Sequence, residues 1–207
     1  MTPIAYYLII IFLPLTIIFS NLLSLIANKN FYMTIYEKEG IYSNFSQKEI
    51  VNTATGNLFG YFRANIMLEQ NFFSPRARLH LRDIKILINN VELLNIISVL
   101  LVLSSSAIFV AKKELTLLKK GVFLGSLSTI LFVLLLFILK ALSFSFFFEK
   151  FHLLFFRNNL WIFPQEDNLV KLFPESFFQA FARTLFLNIA VTSILLLLAS
   201  RILPKKL

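Results

Sequence analysis

The sequence predicts an all-α membrane protein: four transmembrane helices, with a small extracytoplasmic α+β cap between the first two. Three observations predict this class. The chain has 207 residues, 57% of them hydrophobic, and a mean hydropathy of +0.76, far above that of a soluble globular domain. Four mostly apolar runs each reach the roughly 20 residues that a spanning helix needs. A soluble core of 24.0 kDa could not bury all four runs.

The predicted spans cover residues 4–27, 91–111, 121–142 and 184–203. The first run has no basic segment before it and no clear small-residue cleavage site after it, so we expect a retained span rather than a removed signal. We therefore treat residues 1–207 as a single integral membrane domain.

The net charge of +9 is placed at the ends of the apolar runs. The residues concerned are Lys112, Lys113, Lys119, Lys120, Arg201, Lys205 and Lys206. Basic residues at such positions orient a membrane protein and mark its cytoplasmic loops, and they do not form a nucleic-acid surface. We expect both termini in the cytoplasm, residues 28–90 and 143–183 outside it, and membrane lipid rather than nucleic acid as a partner.

The first outer segment is predicted to form the α+β cap. Phe31 to Tyr36 is aromatic and β-branched enough for a short strand, and the turn signal EKEG precedes a second extended piece at Ile41 and Tyr42. Ser46 and Glu49 have capping-box spacing, which predicts a helix over residues 47–62.

A long helix is predicted to start at Ser74 and Pro75 and to continue into the second span. Serine caps helix N-termini, and proline suits the first helical turn. His80 and Asp83 are three residues apart on this helix, so the imidazole and the carboxylate can be neighbours.

The two histidines of the chain are the strongest candidates for chemistry. The predicted topology places His80 and His152 on the same outer side at similar depth. Either they work together in acid–base catalysis or each is an interfacial histidine with local hydrogen bonds. The chain has no cysteine, which excludes disulfides, thiolate zinc sites and thiol nucleophiles. Two histidines with one carboxylate are too few for a convincing metal site, and we expect neither metal nor cofactor.

Several basic residues flank these histidines, among them Arg82, Lys85 and Arg157. They can contact lipid phosphates, or they can bind an anionic substrate and a developing oxyanion. Trp161 suits an interfacial anchor. Glu175 follows Pro174 at the predicted start of the last helix.

Five segments together resemble the bacterial lipoprotein intramolecular transacylase family, called Lit. They are HLRDIK at residues 80–85, FHLLFF at 151–156, Trp161, Asp167, and LVKLFPESFF at 169–178. The resemblance implies an acyltransferase of the bacterial cell membrane with its site at the outer leaflet. Such an enzyme moves the sn-2 acyl chain of an S-diacylglyceryl cysteine to that residue's α-amino group, so a diacylated lipoprotein is the implied substrate.

The resemblance also implies catalytic roles for His80 and His152. One removes a proton from the amine and the other protonates the departing glycerol oxygen. We favour His80 as the base, oriented by Asp83. The supporting residues would be Asp83, Arg82, Lys85, Arg157, Trp161, Asp167 and Glu175.

Two alternatives remain open at the level of the sequence. The chain could be a non-enzymatic assembly or transport subunit, although transporters more often place charges deep within their spans. It could also be a membrane lipid deacylase that gives the acyl chain to water.

Overall fold

The computed structural model describes residues 2–64 and 66–202, and within these ranges the chain is helical, with no strand. The elements are α1 (Thr2–Ile26), α2 (Lys29–Lys38), a 3-10 helix (Ile41–Asn44), α3 (Lys48–Ala64), α4 (Pro75–Ala111), α5 (Leu115–Leu142), α6 (Phe144–Phe155), α7 (Asn168–Leu172) and α8 (Glu175–Ile202).

Four helices, α1, α4, α5 and α8, are long and apolar enough to cross a membrane. They contain the four predicted spans with two exceptions. Ala27 lies in the turn after α1, and residue 203 of the last span, with Lys205 and Lys206, lies outside the described residues. Helix α4 has 37 residues and so measures about 55 Å at 1.5 Å per residue. A hydrocarbon core is about 30 Å thick, so the first part of α4, before the apolar run at Val91, is not needed for spanning.

The predicted strands of the cap were wrong. Residues 29–38 form α2, and Ile41 begins a 3-10 helix. Asn28 Oδ1 accepts a hydrogen bond from Phe31 N and caps α2. Ile35 and Tyr36 are buried on one face of that helix. Aromatic and β-branched residues fit a pleated surface only where the surroundings offer one, and here burial on a helical face decides. The predicted helix at 47–62 is present as α3.

The chain forms two compact units. The first unit consists of Met1–Leu23, Asn90–Leu142 and Leu185–Leu207. Within it, α1 packs closely against two glycines of α5. A Cβ on Gly125 would lie 3.2 Å from Leu13 Cβ and 3.4 Å from the Ile9 carbonyl oxygen, and one on Gly121 would lie 3.3 Å from Ile9 Cγ2. Glycines four residues apart permit this close approach, as they do in many membrane helix pairs.

The second unit consists of Ser24–Asn89 and Ser143–Thr184. Its core is apolar, with Tyr36, Val51, Phe73 and Leu172 fully buried. Tyr36 OH lies 3.3 Å from Thr55 Oγ1, so the polar end of this buried ring has a partner. All the residues of the candidate site belong to this unit.

Candidate active site

His80 lies in the second turn of α4, and the local sequence fixes the start of that helix. Ser74 Oγ accepts a hydrogen bond from Ala77 N at 3.1 Å, which is the predicted N-cap. The same hydroxyl donates to Asp167 Oδ2 at 2.7 Å, and Asp167 Oδ1 caps α7 by accepting from Leu169 N at 2.8 Å. Asp167 thus links the starts of two helices, α4 and α7.

His152 lies on α6, whose start is capped by Ser143; Phe146 N donates to Ser143 Oγ at 3.3 Å. Phe148 and Phe156 lie four residues on either side of His152, so all three share one side of the segment. The structure brings the His80 and His152 ring centres to 6.2 Å. Both side chains are buried, with His80 5% and His152 7% exposed.

The hydrogen bond at His152 Nδ1 sets the tautomer of that ring. Nδ1 lies 2.7 Å from the Phe148 carbonyl oxygen. A carbonyl only accepts, so Nδ1 carries the hydrogen, and in the neutral ring Nε2 has the free lone pair. The neutral side chain is therefore prepared to take a proton at Nε2.

Burial holds both histidines in the neutral form. Burial lowers the pKa of His80 to about 4, with a further lowering from nearby His152 and a smaller opposing effect of the Asp83 carboxylate. Burial also lowers the pKa of His152, against the hydrogen bond to Phe148. His80 precedes the apolar run of α4, and His152 lies on α6, which is not a spanning helix. Both imidazoles are therefore outside the spanning segments.

Aromatic rings enclose the pair. The His152 ring centre is 4.1 Å from that of Phe148 and 4.8 Å from that of Trp161. The His80 ring centre is 5.1 Å from Phe156 and 5.7 Å from Phe163. These apolar neighbours are the physical cause of the lowered pKa values. We did not single out the phenylalanines from the sequence, although the spacing of residues 148, 152 and 156 is visible there.

Both imidazoles open on a cavity of about 950 Å³. Its walls are mostly apolar, and every lining residue belongs to the second unit. They include Tyr32, Leu58, Phe62, Leu81, Ile84, Phe148, Trp161, Phe163, Leu169, Phe173, Phe177 and Phe178, with Ser145, Glu149, Gln165, Glu175 and Ser176 as polar members. A cavity of this size and composition suits an acyl chain with a small polar group at one end.

Two of the predicted supporting residues, Trp161 and Glu175, line this cavity. Glu175 Oε1 accepts from Gln179 Nε2 at 2.8 Å. Trp161 Nε1 is buried without a hydrogen-bond partner among the described residues, as is His80 Nδ1. Among the cavity-lining residues that the structure describes, these two nitrogens are the fully buried side-chain atoms without a partner.

The other supporting residues are not among those that line the cavity. Asp83 Oδ2 accepts a hydrogen bond from Asn158 Nδ2 at 2.9 Å, which links α4 to the loop after α6. In the described part of the chain, His80 does not donate a hydrogen bond to Asp83. Lys85 Nζ donates to the Tyr61 carbonyl at 2.6 Å. Arg82 and Arg157 are exposed.

The described residues contain no group of three His, Asp or Glu side chains able to hold a metal ion. The arrangement offers a different chemistry: two neutral imidazoles, one with a defined basic nitrogen, at the wall of an apolar cavity. Such a site can move a proton during attack on an ester held in that cavity.

Comparison with known proteins identifies relatives of this fold. A family model described as lipoprotein intramolecular transacylase Lit matches residues 7–178. Among solved structures, the membrane integral lipoprotein intramolecular transacylase Lit from Bacillus cereus has a TM-score of 0.88 and 22% identity, covering 98% of this chain and 95% of that one. Two histidine variants of that protein match as well. The variant with arginine has a TM-score of 0.81 and 21% identity, covering 98% and 91% of the two chains. The variant with alanine has 0.82 and 22%, covering 98% and 93%. No curated protein matches.

Proposed function

This chain belongs to the lipoprotein intramolecular transacylase family, and we propose that it moves the sn-2 acyl chain of an S-diacylglyceryl cysteine to that residue's own α-amino group. The family is one of acyltransferases, which answers the alternative of a non-enzymatic subunit. The substrate is a diacylated lipoprotein, and the product is the lyso form with N-acyl and S-monoacylglyceryl groups. The observation that carries this proposal is the pair of buried imidazoles at the wall of an apolar cavity.

The proton balance of the reaction defines what the site must do. A bond forms between the amine nitrogen and the ester carbonyl carbon, and the bond from that carbon to the glycerol oxygen breaks. The amine has a pKa of roughly 7.7 to 8.0, so most of it is protonated at neutral pH and must first lose one proton to solvent. The neutral amine then gives up a second proton on attack, and the glycerol oxygen receives that proton.

We assign the role of base to His152. Its Nδ1–H is fixed on the Phe148 carbonyl, which leaves Nε2 as the proton acceptor. This reverses our preference from the sequence, because the expected orienting partner of His80, Asp83, is hydrogen-bonded to Asn158. The low pKa of His80 also disfavours it as base.

His80 acts in the second half of the reaction. A neutral imidazole can accept a proton at one nitrogen while it releases a proton from the other. With the two ring centres 6.2 Å apart, His80 is suited to pass the proton from His152 to the departing glycerol oxygen. No net charge has to remain on this buried ring.

Holding donor and acceptor in one molecule supplies much of the catalysis. Well-oriented intramolecular reactions reach effective molarities of roughly 10⁵ to 10⁸ M, so no acyl-enzyme is required. The apolar cavity can keep the acyl chain in one place while its carbonyl carbon exchanges a glycerol oxygen for the amine nitrogen.

We place this site at the outer surface of the bacterial membrane, with both termini cytoplasmic. The lysine-rich turn between α4 and α5 favours this orientation. Exposed apolar residues on α6 also suit contact with lipid: Phe146, Phe151, Leu153, Leu154 and Phe155. Because the chain lacks cysteine, single cysteines can report the topology. A membrane-impermeant maleimide should label Glu39→Cys in intact cells and Lys112→Cys only after permeabilisation; the opposite pattern would refute the orientation.

Substitution of the histidines tests the proposed function. His152→Ala and His80→Ala should each lower the rate of N-acylated product by about 10²- to 10⁴-fold, the usual contribution of acid–base catalysis. Lys150→Ala, on the exposed face of α6, is the matched control and should remain near wild type. Tandem mass spectrometry of a diacylglyceryl lipopeptide measures the product. A folded histidine variant with near-full activity would overturn the mechanism, and a deacylated product would favour a deacylase instead.

A further inference from the structure

We propose that the indole N–H of Trp161 donates a hydrogen bond to the carbonyl oxygen of the ester under attack and stabilises the oxyanion that forms there. The inference rests on the transacylation proposed above and adds a catalytic residue to it. Trp161 takes no part in the proton transfers. Its N–H keeps its proton while the carbon–nitrogen bond forms and the carbon–oxygen bond to glycerol breaks.

The first argument is an unpaired donor. Trp161 Nε1 is buried and has no hydrogen-bond partner in the described part of the protein. An indole nitrogen only donates, and leaving such a donor unpaired in a folded protein costs roughly 1 to 3 kcal/mol. Buried polar groups are nearly always paired, so an unpaired one requires an explanation such as a catalytic role. Trp161 lines the cavity and its Nε1 is covered in the unliganded protein, so we infer that the ester displaces a neighbouring side chain and becomes the partner of the N–H.

The second argument is the position of the ring. The Trp161 and His152 ring centres are 4.8 Å apart, and the ring planes are inclined by 31°. The indole therefore lies beside the imidazole that we assign as base, and the ester must lie within reach of that base when the amine attacks. Oxyanion stabilisation needs a donor about 2.7 to 3.1 Å from the developing charge, and a neighbour of the base can satisfy that requirement.

The third argument is that the loop around Trp161 is held by hydrogen bonds before any substrate binds. Leu160 N donates to Asn158 Oδ1 at 3.0 Å, and Ile162 N donates to the Asn159 carbonyl at 3.2 Å. Asn158 also donates to Asp83 on α4. A donor held in this way needs little reorganisation during the reaction, which is the condition under which such hydrogen bonds are most effective.

The fourth argument is the lack of a lysine or arginine in the cavity wall. We expected basic residues to stabilise the oxyanion, but no lysine or arginine is among the residues that line the cavity. Arg76 donates to the Asn159 carbonyl, and Lys85 donates to the Tyr61 carbonyl. Of the two buried unpaired nitrogens, the one on His80 belongs to a ring that moves a proton. The hydroxyls of Ser145 and Ser176 and the amide of Gln165 also line the cavity, and the indole N–H differs from them in being fully buried and unpaired among the described residues.

Removal of the N–H at constant shape is the direct test. Trp161 is replaced by 3-benzothienylalanine, which has sulfur in place of the N–H, and separately by phenylalanine. We expect kcat to fall by about 10²- to 10³-fold, the usual cost of losing one oxyanion donor. Affinity for an unreactive lipopeptide with an sn-2 amide in place of the ester should weaken by about tenfold or less, the range for one neutral hydrogen bond. A well-folded benzothienylalanine variant with wild-type kcat would overturn the proposal.

Because Trp161 is the only tryptophan, a second readout does not need activity. The ¹⁵N-labelled protein gives one indole N–H signal, whose proton should move downfield when the sn-2 amide lipopeptide binds. An sn-2 ether lipopeptide, which lacks the carbonyl, should not cause this shift. Equal responses to both ligands would refute the hydrogen bond.

The two proposals can fail separately. If the wild-type enzyme gave a deacylated product, intramolecular transfer would be wrong. Hydrolysis passes through the same oxyanion, so a loss of kcat in the benzothienylalanine variant would still support the role of Trp161.

Discussion

The low pKa values of the two buried histidines predict the pH dependence of the enzyme. From pH 7 down to about pH 5, kcat/KM should follow the ionisation of the substrate amine, with no contribution from His80 and none from a histidine at the ordinary pKa of about 6.5. The reason is that burial lowers the pKa of His80 to about 4 and lowers that of His152 as well. His80 is then neutral throughout this range, and His152 takes up a proton only below the pKa of an ordinary histidine, which is about 6.5.

The magnitude follows from the slope of the profile. At pH 7 about a tenth to a sixth of an amine of pKa 7.7 to 8.0 is neutral. Below that pH the neutral fraction falls about tenfold per unit, so kcat/KM should fall about tenfold from pH 6 to pH 5. If an essential histidine also titrated at about 6.5, the same interval would bring a fall approaching 100-fold.

The assay uses the purified enzyme in detergent with a short diacylglyceryl lipopeptide, and mass spectrometry quantifies the N-acyl product.

Phe156→Ala is the informative variant. Its ring centre lies 5.1 Å from that of His80, and its removal should admit water and raise the pKa of His80 toward the ordinary value. The profile of this variant should steepen below pH 6.5, while that of Leu154→Ala, at an exposed position on the same segment, should not. A wild-type profile with a tenfold steeper fall below pH 6.5 would refute the assignment of neutral, buried histidines.

Three further predictions concern stability. Ser74→Ala removes both the cap of α4 and the link from that cap to the loop before α7. It should lower the free energy of unfolding by about 0.5 to 2 kcal/mol and should also lower activity. The control Asn28→Ala removes the cap of α2 and should lower stability with a smaller loss of activity. Gly125→Leu should destabilise the first unit by about 1 to 3 kcal/mol through overpacking against α1. Leu124→Ala, at an exposed position of α5, should have a smaller effect. Thermal unfolding in detergent measures both variants. The pKa of His80 is lower in the folded than in the unfolded chain, so the unfolded state binds more protons between pH 6.5 and 4. Stability should therefore fall as the pH falls through that window. His80→Gln should show a weaker pH dependence of the unfolding temperature.

The membrane architecture could be predicted from the sequence because its signal is one of length and composition. Four long apolar helices are present. Helices α4 and α8 begin at Pro75 and Glu175, where the sequence predicted their starts, and α5 begins at Leu115, before the predicted residue 121. The start of α4 was also readable, since Ser74 and Pro75 act through local chemistry.

The strands of the cap were predicted from propensity, and propensity was the wrong guide. Phe31, Tyr32, Ile35 and Tyr36 are spaced as on one face of a helix, and Asn28 precedes them as a cap. Both signals are present in the sequence and predict a helix. They were outweighed in our reading by the aromatic and β-branched composition, which depends strongly on context.

The proximity of the two histidines could be predicted from the sequence, but the hydrogen bonds of the site, and which of the supporting residues line the cavity, could not. Topology alone suggested that His80 and His152 lie near each other, and their ring centres are 6.2 Å apart. The choice of base depends on a contact four residues away along α6, from Nδ1 to the Phe148 carbonyl, and on Asp83 turning to Asn158. Sequence spacing allows several partners for such side chains, and only their rotamers and burial select one.

A crossover experiment tests the central claim most directly. The enzyme is given an equimolar mixture of two lipopeptides, one with a deuterated sn-2 acyl chain on a light peptide and the other with an ordinary chain on a heavy peptide. The account predicts that every N-acylated product keeps the acyl chain of its own peptide, with no change in total mass and with the label on nitrogen in the fragmentation spectrum. Products with exchanged chains, or free labelled fatty acid in place of the amide, would contradict intramolecular transfer.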